Sequence, residues 1–216
     1  MKLLLTLAMA TITLSAQVLD RVVATINDRV ITQSEWEEQA RFEALLDGNS
    51  PSQIRFDDAS LERLIDHVLI SEQLQSLKAE GVAIDEVKKE EDSVRKQLSI
   101  AEDHAWAALL QKYGFTGEEF RGKLAQQMNT LQLVDLRFRP NVQVSDRRVE
   151  QYYLQTFVPK LQMQGVGADK IPPLKDVEDK IRQIIIEERM NDVMQAWLAS
   201  ARSQARIRKF VAVAKQ

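Results

Sequence analysis

Pro173–Phe210, PLKDVEDKIRQIIIEERMNDVMQAWLASARSQARIRKF, is the stretch on which the fold turns. Apolar residues recur at Leu174, Val177, Ile181, Ile184 and Ile185, then at Ile186, Met190, Val193, Trp197 and Ala201. Most are three or four positions apart, the spacing of one helix with a buried face. Pro172 and Pro173 precede it, where a missing N–H costs nothing, and Lys175/Asp179, Asp176/Lys180 and Glu178/Arg182 set opposite charges at i,i+4 on the solvent side. At about 1.5 Å per residue, a helix from Leu174 to Gln204 is roughly 46 Å long, more than a small domain is wide. Other elements must therefore wrap it. After Gln204 the period changes to alternation, with Ala205, Ile207 and Lys209 on one side and Arg206, Arg208 and Phe210 on the other, which predicts a short closing strand.

The opposite end of the chain shows a second alternating segment. DRVVATINDRVIT, from Asp20, is β-branched with Asn27-Asp28 at its middle, and predicts a small hairpin. Thr32 and Glu35 have capping-box spacing and open a helix to about Leu46 that buries Trp36, Ala40 and Leu45. Asp47–Gln53 is turn chemistry. A second helix begins near Asp58 or Ser60, carries Leu61, Leu64, Ile65, Val68, Leu69 and Leu77, and ends at Gly81. Asp85 caps a third, mostly solvated helix with a thin stripe of Val87, Val94 and Leu98. Asp103 caps a fourth with Trp106, Leu109, Leu110 and Tyr113, closed by Gly114. Thr116 and Glu119 repeat the capping box and begin a longer helix with Phe120, Leu124, Met128, Leu131 and Leu136 on its apolar positions. Ser145 caps a short helix with Val149 and Tyr153, and a connection rich in glycine and proline runs from Val158 to Pro173. The fold class is mainly α, with a small β-hairpin and a C-terminal strand.

Composition narrows the function. A formal charge of −3, from 29 Lys+Arg against 32 Asp+Glu, supplies no basic field for nucleic acid, so proteins are the expected partners. Residues 1–16, MKLLLTLAMATITLSA, have one lysine, an apolar run from Leu3 to Leu14 and a small-residue Ser15-Ala16 end, the pattern of a secretory signal peptide. That run is shorter than the ~17 residues a bilayer span needs, so no permanent membrane span is expected. The chain has no cysteine, which removes disulfides and thiolate metal sites and leaves an exported protein that relies on its core.

The residues offer little catalytic chemistry. His67 and His104 are isolated and lack metal-ligand spacing, Gly165-Val166-Gly167 lacks the rest of a dinucleotide loop, and no GxxxxGK phosphate loop occurs. No cofactor, metal or catalytic residue is assigned. Arg137, Arg139, Arg147 and Arg148 form the densest positive group, read as a solvated connection. Trp36, Phe42, Phe56, Trp106, Tyr113, Phe115 and Met128 are either core or the walls of a groove for unfolded chains, aromatic rings and methionine being able to adapt to varied apolar partners.

DRVVATINDRVITQSEWEEQ resembles the opening of the SurA-type periplasmic chaperones, where an aspartate-led strand, an asparagine turn, a second strand and an acidic capped helix follow in this order. The likeness continues through LERLIDHVLISEQLQSLKAEGVAIDEVKKEE and GFTGEEFRGKLAQQMNTLQLVDLRFRPNVQVSDRRVEQYY, and Pro173–Phe210 is similar to the family's C-terminal helix and strand. The resemblance implies a chaperone region over 17–157, completed by 174–210, with the last strand joining the opening hairpin. Members of this family commonly carry a parvulin prolyl isomerase domain where this chain has only residues 158–173, and a domain ordinarily needs at least ~50 residues. The expectation is an ATP-independent, non-enzymatic periplasmic chaperone for unfolded polypeptides, outer-membrane protein precursors among them. Alternatives are a helical adaptor or scaffold for one envelope partner and, less favoured, a prolyl isomerase. The sequence assigns no oligomeric state.

Overall fold

The computed structural model describes residues 20–74 and 81–210. The signal peptide expected at residues 1–16, and Leu77 with the end of its helix, lie outside them.

Strands β1 (Val22–Ile26) and β2 (Arg29–Thr32) pair antiparallel, with Thr25 opposite Val30 and Ile26 opposite Arg29. Asn27 takes φ 52° at the turn, a left-handed conformation that asparagine tolerates better than most residues. Helix α1 (Gln33–Leu46) starts where the Thr32 hydroxyl accepts the Glu35 N–H at 3.3 Å. Only half of the expected capping box forms. The Glu35 carboxylate accepts from Arg29 at 2.6 Å instead, and the Asp20 carboxylate takes the Ser34 N–H at 3.2 Å.

Helices α2 (Asp58–Leu74), α3 (Ile84–Gln97), α4 (Asp103–Lys112) and α5 (Gly117–Phe138) follow. Asp85 and Asp103 are not the caps; Ala83 and Glu102 hold those positions, and both aspartates sit in the first turn, where their charge favours the helix N-terminus. The second capping box is complete: Thr116 Oγ1 accepts the Glu119 N–H at 3.2 Å and the Glu119 carboxylate accepts the Thr116 N–H at 2.8 Å.

Helix α6 (Asp146–Tyr152) does not stop at Phe157. It widens into a π turn over Tyr153–Phe157 and continues as α7 (Val158–Met163), so the irregular connection begins only at Gln164. Pro159 explains the widening. It has no N–H, and its ring would meet the carbonyl four residues back in a regular helix; the wider turn, with Val158 N–H donating to Tyr153 O, relieves both problems.

Helix α8 (Leu174–Gln204) then runs the length of the molecule and ends in β3 (Ile207–Lys209), which pairs antiparallel with β1 to give the order β2-β1-β3. Asn27 closes the junction by donating its N–H to Arg206 O and accepting the Arg206 N–H on its side chain, both at 3.0 Å. The last strand thus joins the opening hairpin, as the resemblance implies.

Four apolar clusters make the interior, and α8 contributes to three. Leu198 packs with Val23, Ile26, Ile31, Trp36 and the apolar face of α2; Met190, Met194 and Trp197 pack with Val134 and Phe138 of α5; Ile181 and Ile185 pack with Val149 of α6. The remaining cluster joins α1, α3, α4 and the start of α5 around Phe42, Trp106 and Phe120. The stripe read from sequence is partly corrected. Val193 is 38% exposed while Leu198, not on that stripe, is buried, and on α5 Leu131 and Leu136 are exposed while Val134 and Phe138 are buried.

An ionic clasp reinforces the return of the chain. Arg202 reaches Asp66 and Glu62 of α2, and Lys209 Nζ lies 2.6 Å from both Asp58 and Glu62. Partial burial pushes the Glu62 carboxyl up, but hydrogen bonds from Lys209 and Arg202 outweigh it and hold the group below its ordinary value. Hydrogen bonds to Asp58 and Glu62 raise the Lys209 ammonium.

Leu198→Ala is expected to cost about 2–5 kcal/mol in urea denaturation, whereas Val193→Ala should stay within about 0.5 kcal/mol. Because Glu62 is lowered on folding, its contribution is complete above the ordinary glutamate value of about 4.3 and is lost as pH falls through the folded value. Glu62→Gln should therefore weaken the protein at neutral pH and flatten its stability loss on the acid side, measured by urea midpoints across that range.

Candidate functional site

Between α1, the segment that follows it, α2 and α5 the protein opens a groove of about 650 Å³. Its apolar lining comes from Ala40, Phe42, Leu46, Ile54, Ile70, Leu131, Val134 and Met194. Its polar lining includes Gln39, Asn49, Gln53, Gln126, Gln127 and Thr130. Uncharged amides both donate and accept hydrogen bonds, which is what an extended polypeptide backbone requires of a surface that does not read its sequence. The wall also carries charges of both signs, Asp47, Arg55, Asp57 and Lys123 among them, and Arg63 Nε meets Glu43 Oε2 there at 3.1 Å.

The segment bordering the groove, Asp47 to Asp57, is held at both ends. Gly48 adopts φ +68°, Tyr113 donates its hydroxyl to Asn49 O, and the Asp57 carboxylate accepts the Ser60 N–H at 2.9 Å. Ser50 and Gln53 form a local capping box around Pro51. The wall is therefore built rather than left to the accident of a long loop.

His67 lines this groove and also an adjoining smaller cleft, bordered by Arg29, Glu35, Gln39, Ser71, Glu72 and Lys123. Burial holds its imidazole below the ordinary histidine value, and the Lys123 ammonium pushes the same way; Glu43 and Glu35 oppose them. His104 is exposed. Among the described residues no group of three His, Cys, Asp or Glu side chains is arranged to hold a metal ion.

The seven residues singled out from sequence scatter. Trp36, Phe42, Trp106, Tyr113 and Phe115 are buried in the interior, and Met128 packs partly buried against the same cluster as Phe42. Phe56 is 45% exposed, its ring edge-on to Trp36 at 5.8 Å. Of these seven, Phe42 reaches the groove wall. Both buried tryptophans satisfy their indole N–H, Trp36 on Ser60 Oγ at 3.0 Å and Trp106 on Glu91 Oε1 at 2.7 Å. Glu91, itself buried, also meets Arg121 Nη1 at 3.4 Å. Sequence reasoning missed the aliphatic lining from Ile54, Ile70, Val134 and Met194. The available signal was α5, whose apolar residues occupy more than one face.

No protein-family model matches the chain. Over 139 residues, 63% of its length, it is 28% identical to Chaperone SurA of Alcanivorax borkumensis. The chain is similar to a chaperone. It spans about a third of that relative's length, the match covering 32% of it. Among the described residues no helix is long and apolar enough to cross a membrane.

Trp106→Ala should cost about 3–5 kcal/mol and leave Glu91 without its nearest donor, while Phe56→Ala should cost about 1 kcal/mol, since only an aromatic edge contact is lost. Guanidinium midpoints of the two variants separate an interior ring from a surface one.

Proposed function

We propose that this chain is an ATP-independent chaperone of the bacterial envelope that holds unfolded polypeptides, outer-membrane protein precursors among them, in the groove between α1, α2 and α5. The observation that carries the reading is the groove's lining: apolar side chains set among uncharged amides and a charged rim of both signs, suited to apolar side chains on an extended backbone. The similarity to Chaperone SurA supports the same reading. Prolyl isomerisation is not part of it. The stretch where SurA-type proteins commonly carry an isomerase runs here from Val158 to Pro173, is helical to Met163, and is shorter than the ~50 residues a domain ordinarily needs.

The test is aggregation of a denatured outer-membrane β-barrel protein diluted from urea, followed by light scattering. Wild-type protein should delay aggregation equally with and without ATP, and Thr130→Trp, which fills the groove from α5, should lose most of that effect while melting like wild type. A protein that never delays aggregation overturns the proposal. Recovery of one stoichiometric companion from envelope extract, in place of many unfolded clients, would make the chain an adaptor instead.

A further inference from the structure

We propose that filling the groove is coupled to loss of a proton from His67, so that the groove grips apolar segments less tightly as pH falls below neutrality. This rests on the groove being the client site.

The placement of the side chain carries the argument. His67 lines both the groove and the smaller cleft, and shares that border with Gln39, Lys123 and Gln126, so it sits where the two meet. Its ring is already largely withdrawn from water, which disfavours the imidazolium. An apolar segment laid along Ile70, Val134 and Met194 would remove further water from the groove that His67 lines. The occupied state then penalises the imidazolium more than the empty state does. By linkage, whichever state penalises the charged form more loses population as the ring protonates.

The neighbouring charges neither neutralise nor replace this effect. From α1, Glu35 and Glu43 favour the imidazolium; Glu43 is engaged with Arg63 of α2, and Glu35 with Arg29 of β2. From α5, Lys123 opposes it, and Lys123 is itself paired with Glu38 at 2.8 Å. Glu72 of α2 lines the smaller cleft, away from the groove. Each acid facing the ring from α1 already has a cation of its own, so Glu35 and Glu43 only partly offset the charge that a segment in the groove would meet on the protonated ring.

The chain contains two histidines, and His104 is exposed, so ring proton signals report each one separately once His104→Gln assigns them. The probe is a fluorescently labelled, end-blocked peptide of alternating leucine and serine, which has no group titrating between pH 5 and 8. Anisotropy titrations of the full chain should show affinity falling as pH drops through the histidine range, by up to about tenfold for each further unit that the bound state lowers the ring. His67→Gln should bind with a flat profile, and His104→Gln should follow wild type. In wild type the His67 ring signal should titrate at lower pH with peptide present than without it, a readout that holds even where His67→Gln folds poorly. If Thr130→Trp binds the peptide as well as wild type does, the groove reading fails and the coupling falls with it. If Thr130→Trp loses the peptide while wild-type affinity is independent of pH and the His67 titration is unmoved, the groove stands and the coupling is overturned.

Discussion

Closure of this fold, which brings the last strand to the first, depends on α8 staying docked along its whole length. Pairing β3 with β1 joins residues roughly 180 apart, a closure whose chain entropy is about 4–5 kcal/mol from the logarithmic length term alone. A three-residue strand does not repay that. Three buried aliphatic side chains on α8, Ile181, Ile185 and Leu198, contribute about 1.5–3 kcal/mol each, and the Arg202 and Lys209 clasp with α2 adds charge-assisted bonds at the far end. The helix brings the strand home, and the strand then covers the open edge of β1.

The same docking explains why a groove exists. Its lining draws Phe42, Ala44, Leu46 and Ile54 from the cluster centred on α1 and α4, and Ile70, Val134 and Met194 from the cluster where α8 crosses α5. Between those two apolar regions α5 presents Gln126, Gln127 and Thr130, which cannot join a continuous core without losing hydrogen bonds to water. The two clusters therefore stop short of each other. The groove is the seam, and it is held open because α8 fixes one side while the capped segment from Asp47 to Asp57 fixes the other.

Those seams are what a sequence conceals. The hairpin, the order of helices, the Thr116 cap and the closing strand were legible because each rests on local chemistry or a short period. The buried face of α8 was not, because its partner changes along its length from α6 to α5 to α2. At about 100° per residue, Leu198 lies roughly 140° around the helix from Ile185, so no single stripe contains both, and Val193 falls on the stripe yet faces water. Leu131 was misplaced for the related reason that α5 serves two clusters and a groove at once. Of the seven residues readable from sequence as either core or groove wall, five are interior, as ring size favours, and Phe42 among them also reaches the groove. Glu91 reads as one more acid on a charged helix until Trp106, fifteen positions on, is seen to donate to it.

The size of the groove constrains what a chaperone built on it does. A space of about 650 Å³ admits a few side chains of an extended segment, and their burial yields about 1.5–3 kcal/mol each. Immobilising the segment and its side chains cancels much of that, so the surplus corresponds to dissociation constants from about 10 μM to 1 mM. With association at about 10⁵–10⁷ M⁻¹s⁻¹, such complexes last from about a second to far less than a millisecond. In the proposed chaperone, a client held that briefly would be released many times before it aggregates or folds, and no nucleotide would be needed to expel it. A deeper, wholly apolar groove would bind more tightly and would then need an energy source to let go. The polar seam along α5 thus limits the apolar area of the groove, and with it the grip of the chaperone proposed above.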